Sequence, residues 1–351
     1  MFPGGVGRHG KPFTVQSRRI VTGVSLALGL LALVVITTAG ARSPNRPRRD
    51  GTVSAASRVR GPLVPQHGAL LGAFVSTTGT GWAAADVDAR EVALGRPFDI
   101  DHRFQNWTTA FPTPADSWDV SHGRIPMVTW QPDTVSLDAI AAGAADDVIR
   151  ARAAAVAAFG HPLLLRFAHE MNADWYRWSG VRANTPGATD APGKYIAAWR
   201  HVHDVFAAAG ATNVVWVWSP NHVSVPNTTW NAAANYYPGD GYVDWVGIDG
   251  YNRDRTHWHS FATIFSPLYA QFASRKPIMI GETASVEGTS ATQKARWIAE
   301  ARRAMKTKFP AIGAFVWFDT TKQGFDWRFD SSAPSRAAFR ALGADPYFRT
   351  R

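Results

Sequence analysis

The chain has 351 residues, 46% of them hydrophobic and 18% charged, enough apolar material for a large packed core and too much for a disordered polymer. It contains no cysteine, which excludes disulfide scaffolds, thiolate metal centres and thiol nucleophiles. The formal charge of +10 sits at one end: residues 1–60 hold ten Lys/Arg against the single acid Asp50, whereas residues 61–351 hold 27 basic and 26 acidic residues, so the body lacks a basic surface for tracking nucleic acid.

In chain order, Ser17-Arg18-Arg19 precedes an uncharged apolar run over residues 20–41 that ends in Ala39-Gly40-Ala41. A basic start, an apolar stretch and small residues predict a signal peptide over 1–41. If uncleaved, the run is long enough for a membrane anchor, since about 20 residues span a bilayer. The adjacent arginines also resemble a twin-arginine export signal. Either way the body is expected outside the cytoplasm, secreted or tethered through this segment alone. Residues 42–66, rich in Arg, Pro, Ser and Gly, read as a linker.

From residue 67 to 351 the pattern is regular. Short β-prone runs are predicted at 69–76, 97–101, 125–130, 163–168, 213–218, 243–248, 277–280 and 311–317. Helices are predicted at 83–94, 144–159, 193–209, 260–274, 290–308 and 335–342. Near-continuous apolar strands alternating with amphipathic helices imply a parallel sheet covered by helices. Eight such strands predict an α/β fold, the (β/α)8 TIM barrel, with a doubly wound open sheet as the alternative. All 15 tryptophans lie beyond residue 60; their flat faces suit core packing and sugar stacking alike.

In a barrel, function resides at the C-terminal ends of the strands. Residues predicted there are Asp101-His102, Trp130-Gln131, His169-Glu170, Trp218 to Asn221, Asp249 to Tyr251, Glu282 and Trp317 to Asp319. Several motif matches fail. Gly5 to Gly10 satisfies GxGxxG without a preceding strand, and His169-Glu170 lacks the second histidine of HExxH, since position 173 is Ala. His201 and His203 point to different sides of a predicted helix, poor geometry for one metal. Two glutamates remain. Glu170 and Glu282 each follow an apolar strand, the fourth and the seventh, where a carboxylate is costly unless paired or used. Those strands face each other across a barrel mouth, the arrangement two carboxyls need to cleave a glycosidic bond.

Arg166-Phe-Ala-His169-Glu170-Met-Asn172 with Trp175 resembles the acid/base strand of glycoside hydrolase family 26, whose best-known members are β-mannanases. The likeness extends to residues 125–130, to Trp216-Val-Trp218-Ser-Pro-Asn221, to Asp244 through Asn252, to Ile280-Gly-Glu282-Thr and to Trp317-Phe. The resemblance implies a (β/α)8 barrel, retention of anomeric configuration and no metal, and no cofactor is expected. It assigns Glu170 as general acid/base and Glu282 as nucleophile, with Tyr251 bonded to the nucleophile. It also places His169 and Arg166 around the cleavage point and Trp175 and Trp317 against sugar rings. The cluster Asp101-His102-Arg103-Phe104-Gln105-Asn106-Trp107, His102 and Trp107 foremost, is expected to help bind distal sugars, with Arg103 in the same pocket. Trp130, Asn172, Trp218 and Asn221 complete the expected substrate-binding set.

The expected protein is therefore a monomeric retaining endo-β-glycosidase of a polysaccharide, β-1,4-mannan first, with no nucleic-acid partner. A β-glucanase or β-1,3-xylanase on the same barrel is the rival reading, as is a non-catalytic glycan-binding barrel.

Overall fold

The computed structural model describes residues 59–77 and 81–349. The expected signal or anchor segment, and residues 42–58 of the expected linker, lie outside these residues. Eight parallel strands form one sheet in chain order: β1 (Leu70–Ser76), β2 (Ile100–Asn106), β3 (Ile125–Gln131), β4 (Leu163–Phe167), β5 (Val214–Trp218), β6 (Trp245–Asn252), β7 (Ile278–Ser285) and β8 (Ile312–Lys322). Pairing of β1 with β8, from Leu70↔Ala314 to Ser76↔Thr320, closes the sheet. It is a (β/α)8 barrel, not an open doubly wound sheet.

Helices α1 (Ala84–Leu94), α2 (Pro114–Ser121), α3 (Leu137–Ala141), α4 (Asp146–Phe159), α5 (Gly180–Ala183), α6 (Ala191–Ala208), α7 (Phe261–Phe272), α8 (Gln293–Thr307) and α9 (Ala333–Gly343) fill the connections. Three short 3₁₀ turns replace a helix between β5 and β6. The six predicted helices are present. The additional α2 is fixed by Pro114 in its first turn and by a capping box between Thr113 and Asp116.

Strand parity determines what the barrel encloses. Leu70, Ile100, Ile125, Met127, Leu164, Val215, Val217, Trp245, Met279, Ala314 and Val316 form an interior cluster distinct from the larger core under the helices. Leu63 and Val64 pack against this interior cluster, and Pro62 accepts a 2.8 Å hydrogen bond from Trp245 Nε1. The last residues of the expected linker thus close the N-terminal end of the barrel. Toward the C-terminal end the interior turns polar, where His102, Thr129, Arg166, Asp249 and Glu282 are buried.

Two strand boundaries differ from expectation in ways that matter. The second strand lies at Ile100–Asn106, not 97–101, because its outward residues Asp101, Arg103 and Gln105 are polar and paired beneath α2 and α4. Strands β6, β7 and β8 run further than their apolar cores, so Asp249, Tyr251, Glu282 and Phe318 belong to strands and not to the loops after them.

Candidate active site

Strand β4 ends at Phe167, and the backbone then turns through two non-glycine residues in the left-handed region, Ala168 (φ 46°) and Glu170 (φ 51°). Each costs about 1–3 kcal/mol and persists only where the surroundings enforce it. Here the Glu170 amide donates to Ser219 O at 2.7 Å, tying the turn to the end of β5. The result aims the Glu170 side chain into a cavity of about 390 Å³ whose lining includes Glu282.

Glu282 reaches the same cavity through a bulge. Ile280 pairs with Ile248, but Asp249 pairs with Glu282 and leaves Gly281 as the extra residue. Met279 faces the barrel interior; strict alternation from it would turn Glu282 toward the helices, and the bulge corrects the phase. Only glycine fits at 281, since a Cβ there would lie 2.6 Å from Asp249 Oδ1 and 2.9 Å from Ser219 Oγ.

The two carboxyls have unlike surroundings. Glu282 Oε1 accepts from Arg166 Nη1 at 2.8 Å and Oε2 accepts from the Tyr251 hydroxyl at 2.6 Å, two donors suited to an anion. Arg166, fully buried, also donates to Asp249, which in turn accepts from Ser219 Oγ at 3.0 Å. Glu170 accepts from Asn221 Nδ2 and from Trp175 Nε1, both at 2.8 Å. These bonds favour its anion, but burial and the charge of Glu282 outweigh them and push its carboxyl up to about 7.

The remaining expected residues fall into two groups. Asn172 pairs with the backbone of Asn221 through two bonds of 2.9 Å and so holds the asparagine that meets Glu170. His102, fully buried, contacts Thr129 Oγ1 at 2.8 Å and Arg166 Nη1 at 3.2 Å. Burial, and then Arg166, hold His102 well below the usual histidine range; the same causes do so for His169, which contacts the Tyr176 hydroxyl at 3.1 Å. Both are neutral packing partners of the charged layer. Trp175, 41% exposed, lines the cavity.

The second group does not reach the cavity. Trp107 stacks on Trp130 at 4.2 Å, Trp130 packs against Phe206, Trp218 against Phe272, and Trp317 against Trp297 and Phe339. All four tryptophans are buried between sheet and helices, so their expected contact with sugars is not where the structure places them. Arg103 also points outward, paired with Asp101, Asp116 and Asp119, and not into the pocket. The cavity is lined instead by Phe104 and Phe318, which fall in the expected strand-end clusters, and by Tyr176, Arg253, Lys322, Gln323, Phe325 and Trp327, which the expectation omits. Four of these come from a hairpin in which β8 turns through Gln323-Gly324, both at positive φ, into β9 (Phe325–Asp326).

The profile of glycosyl hydrolase family 26 matches residues 102–337, which include both glutamates. The chain belongs to this family. Endoglucanase H of Acetivibrio thermocellus is 40% identical over 289 residues, covering 79% of this chain and 31% of the relative. Mannan endo-1,4-beta-mannosidase A and B of Caldalkalibacillus mannanilyticus is 30% identical over 167 residues, covering 46% of this chain and 28% of the relative. The chain thus spans about a third or less of the length of these curated relatives. Among solved structures, a GH26 beta-mannanase from Bacteroides ovatus matches with a TM-score of 0.59 at 17% identity, over 80% of this chain and 90% of that one, which establishes the shared fold.

Proposed function

We propose that the protein is a retaining endo-β-glycosidase of a β-1,4-linked polysaccharide. The observation that carries this reading is the pairing in one cavity of a carboxyl pushed up to about 7, Glu170, with a carboxylate held by two donors, Glu282. Glu170 protonates the glycosidic oxygen as Glu282 attacks the anomeric carbon, forming a glycosyl ester and releasing the leaving sugar. Glu170, now ionised, then takes a proton from water, whose oxygen displaces Glu282 from the anomeric carbon.

β-1,4-Mannan is the first substrate reading, carried by the family and by relatives named as mannosidases. A β-glucan is the second, favoured by the endoglucanase relative, which exceeds the mannosidase in both identity and extent. Initial rates and products on mannan, mixed-linkage glucan, cellulose and β-1,3-xylan separate the two. Turnover on none, with binding retained, would leave a glycan-binding barrel. Export through residues 1–41 is part of the same proposal, since such polymers lie outside the cell. Cell fractionation tests it, and full-length protein soluble in the cytoplasm would overturn it.

The roles of the two glutamates are tested with an activated aryl glycoside and azide. Glu170→Ala should stall after the first step and be rescued by azide to the β-glycosyl azide. Glu282→Ala should lose the covalent intermediate and yield the α-azide. Swapped stereochemistry would reverse the assignment. Full activity of both variants on polysaccharide would place the site elsewhere.

A further inference from the structure

Two cations stand at the mouth of the catalytic cavity, and the two-carboxyl chemistry uses neither. Lys322, on the β8–β9 hairpin, holds its ammonium 5.7 Å from the Phe318 ring and 5.9 Å from the Phe104 ring. Arg253, at the end of β6, holds its guanidinium 5.5 Å from the Tyr251 ring. Both are exposed and both line the cavity. Arg103, Arg124 and Arg275 also lie over aromatic rings, yet each is paired with a carboxylate. Lys322 and Arg253 have no ion-pair partner among the described residues.

The carboxyls within the cavity do not answer them. Glu282 is engaged by Arg166 and Tyr251, and Glu170 is the carboxyl pushed up to about 7. The rim therefore presents two uncompensated positive charges above an aromatic floor. Each cation has a ring on one side, so part of its hydration and side-chain freedom is already lost before a ligand arrives. A neutral sugar stacked on that floor meets only hydroxyl contacts at the rim. An acidic substituent on the same sugar meets two cations without carboxylate partners.

We infer that the cavity takes a polysaccharide carrying anionic substituents, with Lys322 and Arg253 as the residues that select them. The inference deepens the glycosidase reading and rests on it for the position of the sugar chain.

The test compares binding of three β-1,4-linked tetrasaccharides: neutral, with one residue oxidised to its 6-carboxylate, and with one residue bearing a 6-sulfate. Titration calorimetry in a Glu170→Gln background, which slows turnover while leaving Glu282 charged, measures each affinity. An acidic tetrasaccharide should bind about tenfold more tightly than the neutral one at low ionic strength. The advantage should shrink in 0.5 M salt on the order of a Debye length of a few ångströms, and Lys322→Gln with Arg253→Gln should abolish it. Whether carboxylate or sulfate gains more identifies the substituent. Equal or tighter binding of the neutral sugar, or an acidic advantage that survives the double substitution, overturns the inference. Hydrolysis by the wild-type protein is read separately on neutral and on acidic polymers: turnover of neither would count against the glycosidase reading, whereas the anionic preference stands or falls on the binding comparison.

Discussion

At the scale of single residues the site works through opposed effects on Glu170. Burial and the nearby Glu282 charge raise its pKa, while the Trp175 and Asn221 donors lower it. With the carboxyl at about 7, the form that donates a proton is lost as pH rises through that value, so kcat/KM on polysaccharide should fall on the alkaline side near pH 7. Trp175→Phe keeps apolar cover but removes a bond to the anion, which is worth about 1.5–3 kcal/mol for a charged acceptor. The alkaline limb should therefore move up by about one to two pH units, even as sugar contact weakens. A limb that stays put or moves down would contradict the proton-donor role. The same shift appears as stability. A carboxyl whose folded pKa is above its unfolded one costs nothing extra below the unfolded value of 4.5 and destabilises increasingly as pH rises through about 7. Glu170→Gln removes that penalty. Its stability relative to wild type should improve between pH 5 and pH 8 by up to about 3 kcal/mol, read from denaturant midpoints at the two pH values.

At the scale of elements, β7 is where local backbone decides chemistry. Gly281→Ala places a Cβ 2.6 Å from the Asp249 carboxylate and 2.9 Å from Ser219 Oγ, buried side chains that are bonded to each other and have little room to yield. The substitution should reduce kcat/KM by about 100-fold or more, as a misplacement of about 1 Å does, and lower the unfolding midpoint through overpacking. Wild-type activity in a folded variant would deny the bulge its aiming role. This element also marks the limit of what the sequence discloses. The apolar cores of seven of the eight strands are legible, and so are Glu170 and Glu282 as acids following them. The slip at Gly281 has no signal except the glycine itself. Strand β2 is misplaced by an apolar-run rule because Asp101, Arg103 and Gln105 are polar yet buried in one another's company. The tryptophans mislead in the opposite direction. Trp130, Trp218 and Trp317 stand at the ends of the predicted strands, but they share the outward parity of Val128, Trp216 and Phe315. Inward parity, applied to β2 and β8, selects Phe104 and Phe318, which do line the cavity.

At the scale of the whole molecule, the barrel separates apolar and charged material along its axis. Apolar side chains fill its N-terminal half, while the ion pairs of Arg166 with Asp249 and Glu282 occupy the C-terminal half. A buried charged layer contributes little net stability, so inside the barrel the apolar half carries the packing, beside the larger core under the helices, and it is closed by a segment that composition alone marks as a linker. Leu63 adopts a left-handed φ of 60°, a conformation that a leucine keeps only when its surroundings hold it there. Beside it Val64 packs on the same interior cluster, and Pro62 satisfies the indole N–H of the fully buried Trp245. Removing residues 1–66 strips this closure. Two half-buried apolar side chains contribute on the order of 2 kcal/mol, and the lost hydrogen bond leaves a buried donor that costs about 1–3 kcal/mol more. Truncation to residue 67 should therefore lower the melting temperature by on the order of 5 °C or more relative to truncation to residue 59. The catalytic mouth lies at the opposite end of the barrel, so kcat well below the melting range should be the same in both. Equal melting temperatures would return residues 59–66 to the linker.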